Sequence, residues 1–284
     1  MNFLPSEKRT QIIACLCEGN GVRATARLCD VTKNTVSRLL VWIGEACTRY
    51  QDDTLRNLPC KRVQIDEIWA FVGAKQKNAS DEKKANGWGD IWTWTALCPD
   101  TKLLFCWFIG ARDAGAANHF MHDVADRLAH RVQLTTDGHK PYLAAVEDAF
   151  GTDVDYAQLV KIYGEGPKTE ARYSPAQCMG ARKAVITGEP DYLHVSTSHV
   201  ERLNLSIRMG NRRFTRLTNA HSKKAENHEH AFALFAMHYN FCKIHSALRV
   251  TPAMQAGITD HVWEITEVIS LLESAVRKQN RSAA

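Results

Sequence analysis

Apolar residues recur at helical spacing through residues 1–50. Ile12, Ile13 and Leu16 mark a helix over residues 7–18, and Gly19-Asn20-Gly21 supplies its break and turn. The spacing predicts a short second helix from Val22 to Cys29, a turn at Asp30-Val31, and a third helix with Thr32 as N-cap. In that third helix Val36, Leu39, Leu40, Ile43 and Cys47 form one apolar stripe, while Asn34, Ser37 and Arg38 occupy the other side. Three short helices with a tight turn before the last predict a helix-turn-helix over residues 1–50. Asn34, Ser37 and Arg38 would then face the base edges of DNA. A plain three-helix bundle is the competing reading.

Residues 51–60 are polar and end near a proline, which predicts a linker. From residue 61 the period becomes strand-like. KRVQIDEIWAFV, DIWTWTALC and KLLFCWFIGA read as a three-stranded meander with a long polar first connection. A helix follows over 116–130 with Phe120, Val124 and Leu128 on one side, then the strand RVQLTTDG, the helix HKPYLAAVEDAFG and the strand DVDYAQLVKIYG. This order, βββαβαβ and then a helix, predicts an α/β domain with a mixed sheet over residues 61–255. Residues 164–196 show no sustained period and read as an irregular insertion. A helix resumes near 197 and is expected to run through a basic window, and another covers about 225–243. Residues 256–284 read as a C-terminal helix (Ile265, Val268, Ile269, Leu272, Val276) with a loose tail.

Composition narrows the classes. Hydrophobic residues at 45% and charged residues at 24% are ordinary globular values and argue against extensive disorder. No apolar run is long enough for a membrane span, and the N-terminus lacks the pattern of a secretory signal. The nine cysteines are odd in number and contain no CxxC pair, which predicts a reduced, cytoplasmic protein without a zinc ribbon. The histidines at 221, 228, 230, 238 and 245 form no HxxxH pair, so zinc is not expected there either. Net charge is +5, yet seven Lys/Arg and no acid lie between Arg202 and Lys224, leaving the remainder slightly acidic. Such a stripe points to a polyanion at one place, with a solvated helix face as the alternative.

Three acids stand out by position. Asp66 sits mid-strand in QIDEIW, Asp137 ends a strand before Gly138, and Glu201 lies on a helix just before the basic window. A central strand, a neighbouring strand end and a flanking helix can converge. A sparse carboxylate set of this kind suits Mg²⁺, with Mn²⁺ as substitute, and phosphodiester chemistry. Adjacent strand residues point to opposite faces, so only one of Asp66 and Glu67 is expected in that set, and pattern alone does not choose. Asp90, Asp113 and Glu226 are further acids, better read as solvated surface.

The segments QIDEIW, TTDGHKPY, and SHVERLNLSIR followed by YNFCKIHSALRVTPAMQAG resemble DDE transposases of bacterial insertion sequences, most nearly the insertion-sequence-one family. The resemblance covers nearly the whole chain. It implies a ribonuclease H-like catalytic domain whose first, second and third acids are Asp66, Asp137 and Glu201, choosing Asp66 over Glu67. It also implies a basic residue two helical turns after the glutamate, a place held by Arg208. Seven positions at 3.6 per turn return within ~20° of the start, about ten ångströms along the axis. Arg208 would there hold a phosphate, with Arg212 and Arg213 continuing outward as backbone contacts. The implied partners are element-end and target DNA and, to hold two ends, a second copy of the chain. Some members of the family carry an N-terminal zinc finger with paired CxxC motifs; this chain has none. A structure-selective nuclease and a DNA-binding regulator with a silent catalytic domain are the competing functions.

Overall fold

In a computed structural model, residues 4–164, 178–216 and 218–272 are described. Three helices open the chain: α1 (Ser6–Cys17), α2 (Val22–Leu28) and α3 (Lys33–Thr54). The Thr32 hydroxyl accepts the Thr35 amide at 3.1 Å, the N-cap expected from its position. The α3 stripe of Val36, Leu39, Leu40, Ile43 and Cys47 is buried.

The predicted linker over 51–60 differs from the structure. α3 continues to Thr54, and Gln51 is wholly buried, donating to the carbonyls of Cys47 and Ala233. Leu55, Leu58 and Cys60 are buried in the same hydrophobic cluster as Val63 and Ile65 of the sheet. The polar look of this stretch has an electrostatic origin. Asp52 pairs with the buried Arg127 at 2.6 Å, and Arg127 also holds Asp123 at 2.9 Å.

The sheet has six strands: β1 (Arg62–Val72), β2 (Gly89–Leu97), β3 (Leu104–Gly110), β4 (Val132–Thr136), β5 (Val154–Tyr163) and β6 (Cys178–Thr187). Their spatial order is β3-β2-β1-β4-β5-β6. β1, β4 and β5 run parallel; β2, β3 and β6 are antiparallel to their neighbours. A short helix, α4 (Asp81–Ala85), lies in the β1–β2 connection, while α5 (Ala114–Asp126) and α6 (Pro141–Phe150) flank β4 in sequence. α7 (Ser198–Gly210), α8 (Ala225–Met237) and α9 (Pro252–Gln255) follow, with a further helix over 265–272. The chain is thus α/β, a mixed sheet flanked by helices, compatible with a ribonuclease H-like fold. No helix among the described residues is long and apolar enough to cross a membrane.

Two hydrophobic clusters sandwich β1. Val63 and Ile65 join Phe120, Tyr142 and the α3 stripe on one face. Ile68 and Ala70 join Val200, Leu203 and Ile207 of α7 and Phe232 of α8 on the other. α3 and α8 approach so closely that a Cβ on Gly44 would lie 2.3 Å from the Cβ of His230.

Two further expectations need correction. The region read as an irregular insertion holds β6, paired antiparallel with β5 (Gln158 opposite Ala184); residues 165–177 lie outside the described residues. The helix expected through the basic window stops at Gly210. Asn211 turns its side chain onto the Arg213 amide and the Ala231 carbonyl, and Thr215 bonds back to Arg208, so side chains compete for the backbone groups that a continuing helix needs. At the C-terminus Val268, Ile269 and Leu272 are buried, whereas Val276 and the tail lie outside the described residues.

Candidate metal and nucleic-acid site

β1 pairs with β4 only from Arg62 to Gln64, then continues against β2, with a single bridge to Ser222 at Val72. β1 leads on to β2 on one side and β4 to β5 on the other, so the chain reverses its winding direction between these two strands. A crevice at such a switch point is where open α/β sheets place ligands. Asp66 and Glu67 lie just past the last β1–β4 pair, and Asp137 directly follows β4. One carboxylate oxygen from each of the three lies within 4.8 Å of the others.

Glu67 was expected to point away from this group. Its side chain does face the α6 side of the sheet and that of Asp66 the α7 side. With β4 absent from the edge at this level, both still reach the gap. The Asp66 carboxylate accepts from Asn204 of α7 at 2.8 Å and from the Glu67 amide at 2.9 Å. The Glu67 side chain is buried and accepts from Arg112 at 3.0 Å. Arg112 also stands 3.9 Å from Asp137, and Asp137 accepts the His139 amide at 2.9 Å.

Burial, then repulsion from Glu67 and Asp137, pushes the Asp66 carboxyl up to about 7, with Glu201 adding to the repulsion. Burial and Asp137 also raise Glu67, although Arg112 opposes the rise. Burial and the Glu67 charge keep the Tyr142 hydroxyl protonated, and burial and Arg112 lower His139. The donors are hard carboxylate oxygens, and their repulsion is of the kind that a divalent cation relieves. The set therefore fits such an ion.

Glu201 lies outside the three-carboxylate group. Its carboxylate pairs with Lys161 of β5 at 2.6 Å and accepts the Thr197 hydroxyl. Arg208 shares α7 with Glu201, but one of its guanidinium N–H groups is committed to the Phe214 carbonyl at 3.1 Å. Burial and the neighbouring Arg216 lower it to about 10. Arg212 is exposed, whereas Arg213 turns inward: it is half-buried, bonds the Ser222 hydroxyl at 3.1 Å and is lowered by burial to about 10. That corrects the expectation of two outward arginines. Ser222 also meets the buried His228 at 2.9 Å, which burial holds neutral, down to about 3.

Asn34 and Arg38 are exposed and Ser37 is half-buried. Asn34 and Ser37 line a cleft of about 660 Å³ together with Arg212 and Arg213. Arg23, Lys33 and Lys223 also line it and no Asp or Glu does; Arg38 stands outside. The N-terminal helices and the basic window thus form two walls of one cation-lined cleft. Of the other acids, Asp113 caps α5 by accepting the Ala116 amide, and Asp90 accepts the Gln76 amide.

Sequence reading set Glu67 aside in favour of Asp66 and missed Asn204, Arg112 and His139. Only Asn204 left a usable signal, three residues beyond Glu201 on one helix face. No family model matches this chain, and no curated protein matches it.

Proposed function

We propose that this chain is a metal-dependent DDE transposase that binds the ends of a mobile DNA element, hydrolyses phosphodiester bonds and joins the freed 3′-hydroxyl to target DNA. The observation that carries the reading is the carboxylate group Asp66, Glu67 and Asp137 at the β1–β4 switch point of a sheet compatible with a ribonuclease H-like fold. The motifs QIDEIW, TTDGHKPY and SHVERLN support it by their resemblance to that family.

In this reading Asp66, Asp137 and Glu201 are the acids of the site, and Mg²⁺, replaceable by Mn²⁺, is the cofactor they hold. Bound there, the ion would supply Lewis-acid stabilisation of charge on the scissile phosphate. Asn204 orients the Asp66 carboxylate. Glu67 positions Arg112, whose guanidinium brings positive charge to the mouth of an otherwise acidic site. Arg208 and the exposed Arg212 form the basic side on which the DNA backbone lies, with Arg213 bracing it from within through Ser222; phosphate contacts position DNA without reading its sequence. α1–α3 act as a helix-turn-helix, with Asn34, Ser37 and Arg38 presented to base edges. Two copies hold two element ends.

The test is incubation of the purified chain with labelled candidate end DNA and target plasmid, with Mg²⁺ or with chelator. Nicked ends and joined products only with Mg²⁺ are expected. Nicking without joining would reduce the protein to a nuclease, and binding without either would make it a regulator.

A further inference from the structure

From Glu67 outward, alternate residues of β1 carry Trp69 and Phe71 on the same face of the sheet. Trp92 of β2 lies directly opposite Trp69. The Trp69 and Phe71 rings are 5.7 Å apart between centroids. All three rings are half-buried, and none belongs to either hydrophobic cluster of the described residues. Aromatic side chains of this size ordinarily serve a core. Here they stand beside one without joining it.

Cations accompany the rings. The Arg112 guanidinium lies 4.8 Å from the Trp92 centroid while bonding Glu67 at 3.0 Å, so a single side chain joins the acidic group to the aromatic row. Lys75 lies 5.4 Å from the Trp69 centroid. At the far end, the His221 ring is 4.5 Å from Phe71, and His221 also lines the cation-lined cleft. The neighbouring acid, Asp90, is occupied with the Gln76 amide at 2.9 Å. Four strand residues at ~3.3 Å each make the row about 13 Å long. That accommodates about four stacked nucleotides at ~3.4 Å per step.

We infer that Trp69, Trp92 and Phe71 form a stacking ledge for unpaired DNA bases, running from the acidic group to the basic cleft. Aromatic faces with adjacent cations bind single strands irrespective of sequence, because every base presents a π-face and every linkage a phosphate. The bases of an intact duplex are already stacked and offer no such face. The ligand is therefore a frayed or single-stranded segment next to the phosphate being processed. The inference rests on the nucleic-acid reading above but not on its chemistry.

The experiment uses the full chain without divalent metal, so that nothing is cut. A blunt duplex is compared with the same duplex carrying a short unpaired tail that contains 2-aminopurine. Stacking of one base predicts at least about five-fold tighter binding of the tailed DNA, with quenched 2-aminopurine fluorescence. Trp69→Ala combined with Trp92→Ala should erase that preference and leave blunt-duplex affinity unchanged, which also reports an intact fold. Trp69→Phe with Trp92→Phe should retain most of it. Equal affinity of the wild-type chain for tailed and blunt DNA overturns the inference, as does a preference that survives in the double alanine variant. Tail preference without Mg²⁺-dependent cleavage would keep the ledge and remove the transposase reading; cleavage without tail preference would do the reverse.

Discussion

The acidic group and the basic cleft both crowd like charges, and they do so in different dielectric settings. Asp66, Glu67 and Asp137 bring three carboxylates within 4.8 Å, with Arg112 as the guanidinium among them. Arg23, Lys33, Arg212, Arg213 and Lys223 are instead spread around a cleft of about 660 Å³, and all but Arg213 are exposed to water. At short range and partly buried, like charge shifts protonation and demands a counterion; in water at longer range it is screened and costs little. The first arrangement suits one small cation. The second suits an extended polyanion.

The largest effect expected is on chemistry. Asp66→Asn or Asp137→Asn should abolish Mg²⁺-dependent cleavage, with folding and DNA binding retained, because each removes a charge at nearly constant volume. Glu201→Gln should do the same under the three-acid assignment; an active Glu201→Gln variant would confine the site to the three carboxylates at the switch point. Glu67→Gln sharpens the comparison. If Glu67 only positions Arg112, Glu67→Gln should keep measurable activity while Glu67→Ala loses more, and single-turnover cleavage rates separate the two.

The next effect is thermodynamic and opposite in sign. The Asp66 carboxyl titrates near 7 in the fold against an ordinary value of 3.8, so the fold favours its protonated form. Ionisation therefore costs stability: the cost is absent below about pH 4, grows as pH rises and is complete above about pH 7. Metal-free Asp66→Asn should accordingly be more stable than wild type at about pH 8, by about 2–4 kcal/mol, with the gap closing towards pH 4. Thermal melts across pH read this directly. Added Mg²⁺ should raise the Tm of wild type and leave that of the variant where it was. A variant less stable than wild type at high pH would show that the carboxylates are not in electrostatic conflict.

These two regions also differ in how far the sequence exposes them. The α3 stripe, the Thr32 cap and the strands β1 to β5 follow from periodicity, and Asp66 and Asp137 are conspicuous as acids in or beside apolar strands. Glu67 is as conspicuous as Asp66, but strand alternation admits only one of the pair to the group. Alternation assigns it to the opposite face, and only the loss of β4 from the sheet edge after Gln64 lets two faces share one gap. β6 escapes because CMGARKAVIT, exposed over much of its length at the sheet edge, has no buried face to impose a period of two. The basic window misleads for a third reason. Charge alone does not reveal that Asn211 ends α7 and turns Arg213 inward towards Ser222.

That inward turn separates two adjacent arginines. Arg213→Ala removes a bond to Ser222 and the packing of a half-buried side chain, and should cost about 1–2 kcal/mol of stability. Arg212→Ala, at an exposed position, should stay within about 0.5 kcal/mol of wild type. Urea denaturation of the two variants decides it, and equal losses would mean that Arg213 is not structural.

The remaining effect is on binding alone, and it tests whether the cleft is a surface for DNA. Lys33, Arg212 and Lys223 are exposed and line the cleft from α3 and the basic window, so removing them leaves the core untouched. Each phosphate neutralised releases condensed counterions and contributes ~0.9 to the slope of log affinity against log salt. Replacing all three by alanine should flatten that slope by up to about 2.7, if each meets one phosphate. Affinity should fall for every duplex sequence alike, since phosphate contacts position DNA without reading it. Arg38→Ala gives the contrasting result. Its side chain is exposed but lies outside the cleft. If it meets a base edge, the salt slope is preserved while discrimination between element ends and random duplex shrinks by about 1–3 kcal/mol. An unchanged slope in the triple variant would leave the cleft without a polyanion. Flattening by Arg38→Ala as large as that of one cleft cation would make Arg38 another phosphate contact and remove the helix-turn-helix reading of its face.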